Sequence, residues 1–488
     1  MTAQTLANKF LEANRLANFG NCLTRMHVQG FRCHTSTVID FISPITAFCG
    51  RNGTGKSTLI QLAAAAYASP AEETPTYYIR DFLVRGTLDP DPFTPTASVE
   101  YQYWDGERSS PGLGPRYVTR QTTVSRTAAR WSGYPRRPER NVFFVGVGLY
   151  LPASERRDFI FRNAGRLELR TTETATAVTK SWTSRVLGSA YDTMSRNTVA
   201  VSDREGSLLS VTRHGVSYSE AHMGHGEGRT QYLIAALELL PEKTLVLIEE
   251  PETSLHAAAQ YELAAYLIDV AKRRGHQIVL TTHSEYLLEA LPSASRIYLH
   301  REGISVRPIP GLASREALSM MSDGHVPALW VLVEDRCGQI VLQEIVRRFD
   351  QGFLSTIAVR VSGGAQMIGS IAPVVNAIKG VPMVAVRDGD QAEDPGKGLF
   401  KLPGTGPPEK ALFECLEVEE HIRSKYHVEM ADVRAVAPAD HHAWPGECAR
   451  QTGISIEALL TEASQVYAWT VDEIEGNRLV ELLRESIP

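Results

Sequence analysis

Nowhere in the 488 residues do two cysteines stand as a CxxC pair. The six present (Cys22, Cys33, Cys49, Cys337, Cys415 and Cys448) are scattered, which argues against a disulfide framework and against a cysteine-built zinc site. A reducing, cytoplasmic location is the expectation. No apolar run is long enough to span a bilayer, so no membrane partner is expected. The first twenty residues lack both a basic start and a continuous apolar centre, which argues against a secretion signal. Leu6, Phe10, Leu11 and Leu16 predict a short amphipathic helix within residues 1–21 instead. There is no run of heptads, and so no long coiled coil. A net charge of −6 does not advertise nucleic-acid binding, although a local basic patch would still supply it. What is present, 43% hydrophobic and 22% charged residues, describes a globular chain too long for one core.

The strongest positive signal is "ITAFCGRNGTGKSTLIQLAAAAY". From Gly50 it satisfies GxxxxGK[ST] through Gly55, Lys56 and Ser57, with an apolar strand (Ile45 to Cys49) before it and an Ala-rich helix after it. In such a loop the backbone N–H groups of Gly50, Asn52, Gly53, Gly55 and Thr58 wrap phosphates at a helix N-terminus. Lys56 is expected to reach the β- and γ-phosphates of ATP, and Ser57 to hold Mg2+.

Two further stretches belong with it. In "TLVLIEEPETSLH" a buried strand over 244–248 delivers Glu249 and Glu250 at its C-terminal end, where open α/β sheets bind ligands. Glu249 is assigned to the metal and Glu250 to the attacking water. In "HQIVLTTHSEYLLEAL" a second strand, over 277–282, carries His283 at its tip, a candidate sensor of the γ-phosphate.

Loop, acid pair, "PExxLH" and strand-end histidine together resemble the ABC-type ATPase heads of the SMC, Rad50 and OLD kind. The resemblance implies a head-to-head homodimer or higher oligomer, in which a signature segment closes over the ATP of the other protomer. "HMGHGEGRTQYLIAAL" lies in the matching place, with Gly224 where the family has serine. Gly224, Gly226 and Glu227 are its candidate nucleotide-binding residues. The missing coiled coil narrows the resemblance towards the OLD branch.

About 165 residues separate the loop from the signature, within an insertion spanning roughly 60–222. "SVEYQYWDGERSS" reads as strand, turn, strand, with Asp105-Gly106 as the hairpin signal. The most basic stretch follows: Arg116, Arg120, Arg126, Arg130, Arg136, Arg137 and Arg140 are opposed only by Glu139, with Tyr117, Trp131 and Tyr134 interleaved. That mixture suits nucleic acid, phosphate contact combined with base stacking. A strand face whose arginines find partners within the fold, or a protein-contact surface, uses the same residues.

The head is expected to span 22–310, ending in a hairpin, with a linker over 311–326 and a second α/β domain over 327–488. The order "ALWVLVED", "GQIVLQEIVRRF", "TIAVRVSGG", "MIGSIAPVVNAIKG", "PMVAVRDGD" is βαβαβ, which implies a small parallel sheet with acids collected at one edge. Asp388 and Asp390 alternate after the third strand. Two such charges roughly 4 Å apart repel by about 4 kcal/mol at an effective dielectric of 20. Either this is ordinary Asp-Gly-Asp turn chemistry or a cation sits between them.

Glu334 at the end of one strand and DxD at the end of another resemble the Toprim domain of topoisomerases, primases and OLD nucleases. The resemblance implies Mg2+ (or Mn2+) held by Glu334, Asp388 and Asp390 for phosphodiester cleavage. Related nucleases show VEG followed by a second acid; here Asp335 stands in the glycine place and Gly338 where that acid is expected. Either Asp335, or Glu393 and Asp394, supplies the missing ligand, or the metal site is partly lost. Lys397, Lys401 and Lys410 are candidates for a scissile phosphate, and His441 and His442 for acid-base work or a surface role.

The whole reads as an ATP-gated, Mg2+-dependent nuclease resembling the OLD family, whose members serve in anti-phage defence alone or beside another defence-system protein. The alternative is a sensor and scaffold ATPase whose degenerate second domain docks a separate effector.

Overall fold

A computed structural model of the chain describes residues 3–70, 75–89, 91–107, 116–127, 130–149, 162–378 and 381–487. The chain divides into two units, Met1–Leu312 and Ala313–Pro488.

The first unit is organised around the helix Lys56–Ala64, buried on nearly every side. Beneath it lies a six-stranded sheet in the order Ser305–Pro310, Arg296–Glu302, Ile45–Cys49, Gln277–Thr281, Leu245–Glu249, Val142–Val145. Its strands are parallel apart from the edge hairpin ending at Pro310. Above it lies an antiparallel sheet of His34–Asp40, Leu23–Phe31, Ser98–Glu107, Arg116–Thr127 and Arg130–Ser132. One core joins the three layers: Met26, Val28 and Tyr101 from the upper sheet, Leu59 and Ala63 from the helix, Phe48 and Leu247 from the lower sheet. Alanines make this possible, because their small side chains let the helix approach both sheets closely. The carbonyls at its end need partners, and the upper layer provides them. Tyr101 Oη donates to Leu62 O at 2.7 Å, Tyr103 Oη to Ala66 O at 2.6 Å, and Arg137 Nη1 to Ala65 O at 2.9 Å.

The loop expected at Asp105-Gly106 is elsewhere. Both residues are laddered within the hairpin, opposite Val118 and Tyr117, so the connection falls in 108–115, outside the described residues. The N-terminal helix is two, Ala3–Phe10 and Glu12–Phe19, broken at an exposed Leu11. A third, antiparallel sheet (Glu168–Thr174, Thr193–Val201, Arg204–Arg213, Val216–Ser219) precedes the helix His225–Leu239.

The second unit is α/β. Its all-parallel sheet runs Ile357–Val361, Leu329–Val333, Met383–Arg387, Leu399–Lys401, as the alternation of apolar strands and amphipathic helices requires. The helix Arg336–Phe349 presents Ile340, Val341, Ile345 and Val346 to the core. The stretch expected as a linker contains a helix, Ser314–Met321, that belongs to this unit. Among the described residues, six α-helices from Pro408 onward complete it, the first being Pro408–Phe413.

Candidate functional site

In the head, the loop after Cys49 needs its glycines for space and for backbone. Gly50, Gly53 and Gly55 have φ of 140°, 78° and 78°. A Cβ on Gly55 would lie 2.2 Å from His34 Nε2, and one on Gly50 would lie 2.7 Å from Leu299 O. His34 is buried in the neighbouring sheet, with Nε2 3.1 Å from Gly55 O and Nδ1 3.1 Å from Thr37 Oγ1. Burial holds its pKa below the ordinary value. Arg301 Nη1 braces the other side of the loop through Gly53 O at 2.8 Å. Sequence reasoning missed both supports, since neither carries a motif. Lys56 is 8% exposed and curls over the loop, donating to Gly50 O at 2.8 Å and Arg51 O at 3.1 Å. Burial lowers its pKa, and the charge of Glu250 opposes that shift. Ser57 is exposed at the helix start, and Thr58 is buried.

The acid pair ends the strand Leu245–Glu249, with Glu249 its last residue and Glu250 just beyond. Glu250 turns the chain with φ of 44°, rare for a side chain other than glycine. Its N–H donates to Thr281 O at 3.1 Å, so adjacent strand tips are tied together. Its Oε1 faces His283 Nε2 at 3.7 Å. Burial and then Lys56 lower the His283 pKa, while Glu250 raises it, so lysine, glutamate and histidine act on one another electrostatically. Glu252 completes this side. Buried, it accepts from Thr282 Oγ1 at 2.5 Å and His283 N at 3.0 Å, and burial raises its pKa. Glu249 Oε1 is buried with no hydrogen-bond partner. An anionic oxygen left so suits a hard divalent cation such as Mg2+.

The helix His225–Leu239 starts at Gly224 without a side-chain cap. A Cβ on Gly226 would meet Ser254 O at 2.4 Å, so glycine there permits close packing on the turn after the acids. Glu227 Oε1 accepts from Tyr191 at 2.6 Å and Tyr218 at 2.8 Å, which binds the signature helix to the third sheet. From its next turn Arg229, 3% exposed, donates to the carbonyls of Val147, Glu249 and Glu250.

The basic stretch divides. Arg137 is buried, donating to Ala65 O, Tyr77 O and Tyr134 O beneath the rings of Tyr78 and Tyr134. Arg140 is buried too, bonded to Lys243 O, Gln277 Oε1 and Phe19 O. Both are framework cations and leave the proposed nucleic-acid patch. Arg120 pairs with Asp105 at 3.7 Å. Arg126 and Arg130 line a 650 Å3 groove with Tyr78, Arg80, Trp131 and Tyr134; Arg136 is exposed. The side chains of Arg116 and Tyr117 lie outside what is described.

In the second unit, neighbouring strand tips bring Glu334 and Asp388 together. Glu334 Oε1 accepts from Gln391 Nε2 at 2.6 Å and from Asp388 N at 3.5 Å. Burial raises the Glu334 pKa. Asp388 is pushed up to about 7 by burial, then by the charges of Glu334, Asp335, Glu409 and Asp390. Asp390 is exposed. Among the described residues, Glu334, Asp388 and Asp390 do not form a set with one oxygen from each within 4.8 Å of the others; the group meeting that measure is Glu409, His441 and His442. The candidates for a missing ligand are otherwise engaged. Asp335 Oδ1 caps the next helix through Gly338 N at 2.8 Å, Glu393 pairs with Arg478, and Asp394 with Lys397 at 2.8 Å. A Cβ on Gly338 would lie 3.7 Å from Asp388 Oδ1, so a side chain at 338 would start beside the acid pair. Lys401 Nζ donates to the carbonyl of Gly389, between the two aspartates, at 3.2 Å.

Among the described residues no helix is long and apolar enough to cross a membrane. Residues 69–289 match the family model described as AAA domain, putative AbiEii toxin, Type IV TA system, and residues 25–77 match one described as AAA domain. Protein ea59 of Escherichia phage lambda is 22% identical over 277 residues, 54% of this chain and 50% of that protein, so the chain spans about half the length of this curated relative. Among solved structures, an SMC head domain from Thermotoga maritima is similar at 14% identity and a TM-score of 0.32, over 59% of this chain and 98% of that one. An Smc head domain from Pyrococcus furiosus, bound to the C-terminal domain of ScpA, is similar at 12% and 0.36, over 62% and 98%. Both family matches describe ATPase domains, and between them they take in the phosphate-binding loop, the signature helix, the acid pair and His283.

Proposed function

We propose that the chain is an ATP-hydrolysing, divalent-cation-dependent nuclease of the OLD kind. In the head, the loop from Gly50 to Thr58 binds the phosphates of ATP, and Lys56 exchanges its loop carbonyls for phosphate oxygens. Glu249 and Ser57 are the oxygens for Mg2+. Glu250 orients the attacking water, and Glu252 fixes the backbone of His283 so that its ring faces the γ-phosphate. Gly224 and Gly226 open the signature helix towards a second copy's nucleotide, which makes hydrolysis depend on head-to-head pairing.

The observation that carries the nuclease half is the Glu334–Asp388 pair. Two carboxylates stand at adjacent strand tips, and Asp388 is held up to about 7 by burial first and then by the charge of Glu334 and its neighbours, a penalty that a shared cation relieves. A divalent ion there, Mg2+ or Mn2+, would supply an activated water and charge neutralisation at the scissile phosphate. Glu334 and Asp388 would bind it, Asp390 would reach it from the exposed turn, and Lys401 holds that turn in shape. The exposed arginines Arg130 and Arg136 offer the phosphate contacts. Service in anti-phage defence, with or without a separate defence-system protein, rests on the family resemblance.

A second reading is favoured by Gly338: with no acid there, and with Asp335, Glu393 and Asp394 engaged, the second unit would be a scaffold that docks an effector. A cleavage assay on the purified chain separates the two. With Mg2+ or Mn2+ the wild type is expected to cut nucleic acid. Asp388→Asn should abolish cutting while ATP hydrolysis persists, and Glu250→Gln should abolish hydrolysis. A wild type that hydrolyses ATP yet cuts neither DNA nor RNA, single- or double-stranded, under any of these conditions would favour the scaffold.

A further inference from the structure

Glu409, His441 and His442 come together although 31 residues lie between the first and the second. Glu409 stands in the helix Pro408–Phe413, and the histidines form the turn His441–Ala443 that opens the helix Trp444–Thr452. One ligating atom from each lies within 4.8 Å of the others. His442 Nδ1 is 3.3 Å from Glu409 Oε1. Two ligands each about 2.0–2.1 Å from a tetrahedral ion are separated by roughly 3.3 Å, so this edge already has the required length.

A hydrogen bond between Glu409 and His442 does not explain the whole group. Glu409 is only 4% exposed, and its second oxygen, Oε2, is buried with no hydrogen-bond partner. An orphaned carboxylate oxygen costs free energy unless something positive meets it. The second imidazole is also placed. The His441 ring lies 4.1 Å from that of His442 and packs edge-on against Trp444, whose Nε1 is fixed to Ala437 O at 2.9 Å. Asp440 Oδ1 accepts from His442 N at 3.1 Å and shapes the turn. The carboxylate is thus rigid and dry, and the imidazoles approach it from the solvent side: His441 is half-buried and His442 exposed.

We infer that Glu409, His441 and His442 bind a borderline-soft divalent cation of the Zn2+ class. Two imidazole nitrogens and one carboxylate select such an ion over Mg2+, which prefers oxygen ligands alone. Three protein ligands leave a fourth position open to water or to another molecule's donor atom. This site shares no ligand with the Glu334–Asp388 pair, although the charge of Glu409 acts on Asp388, and it does not depend on the nuclease reading.

The test is Co2+ titration of the untagged, metal-stripped full chain, without nucleotide, followed by visible absorption. One Co2+ per chain with tetrahedral d–d bands, displaced by Zn2+, is expected. His442→Ala and Glu409→Gln should each weaken binding at least about tenfold, with unchanged circular dichroism. His442→Cys should restore most of the affinity and add a thiolate-to-cobalt band in the near ultraviolet. The double variant Glu334→Gln, Asp388→Asn should keep the bands. Absence of bands in the wild type, bands surviving in His442→Ala and Glu409→Gln, or bands lost only in the double variant would overturn the assignment.

Discussion

Arg229 Nη2 donates to the main-chain oxygen of Glu249 at 2.7 Å. The guanidinium comes from the signature helix and grips carbonyls, not the carboxylates, of the acid pair. It also reaches Glu250 O and Val147 O. Glu250, at φ of 44°, stands in a conformation that costs about 1–3 kcal/mol for a residue other than glycine. Arg229 therefore helps to hold a strained turn in place and couples the signature helix to it. Replacing it by Met removes these three hydrogen bonds, although Glu250 O keeps those from Thr253 N and Oγ1. ATP hydrolysis is expected to fall by about 100-fold as Glu250 shifts, while ATP binding, which rests on the loop around Lys56, is retained. Equal loss of both, measured by fluorescent-nucleotide titration and phosphate release, would contradict this coupling.

Asp388 makes the second unit sensitive to pH when no metal is bound. An acid whose pKa rises from an ordinary 3.8 to about 7 on folding contributes stability fully present below 3.8 and lost as the pH rises through about 7. In EDTA the melting temperature of the second unit should fall between pH 5 and pH 8. Asp388→Asn should flatten that profile and raise the melting temperature at pH 8. Added Mn2+ should restore stability to the wild type at pH 8 and do less for the variant. A wild-type profile identical to that of Asp388→Asn would show that the carboxyl titrates as it does in the unfolded chain.

The two kinds of arginine in the basic stretch should separate experimentally. Arg137→Ala strips hydrogen bonds from three main-chain oxygens and is expected to destabilise the head by about 3 kcal/mol. Arg136→Ala, on the surface, should change stability by less than about 0.5 kcal/mol. Arg130→Ala with Arg136→Ala should weaken nucleic-acid binding and flatten its dependence on salt. Denaturant melts and binding isotherms at two salt concentrations check both. Unaltered binding in the double variant would free this surface for a protein partner.

Local rules made much of this molecule legible in the sequence. Ile45 to Cys49 is a strand, Lys56 opens a helix, and Glu250, His283, Glu334 and Asp388 all stand at strand tips, because apolar runs followed by glycine or acid have few other ways to fold. What the sequence hid depends on long-range contacts. His34 supports Gly55 from a strand with no motif, and Glu252 looks like one more acid in a loop until Thr282 and His283 are seen to bond it. Arg137 and Arg140 looked like neighbours of Arg136 in a patch; their burial follows from how the sheets close around the helix. Asp105-Gly106 carries a turn signal, yet the two strands pair through it, so cross-strand pairing overrode local preference. The gathering of Glu409 with His441 and His442 depends on how the closing helices pack, which no spacing announced.

The Glu334–Asp388 pair is best tested by crystals of the full chain grown with Mn2+, using an anomalous difference map at the manganese edge. The expected result is a peak within coordination distance of an oxygen from each of Glu334 and Asp388, lost in crystals of Asp388→Asn. Full manganese occupancy in the head beside a bound nucleotide, with nothing between Glu334 and Asp388, would contradict it.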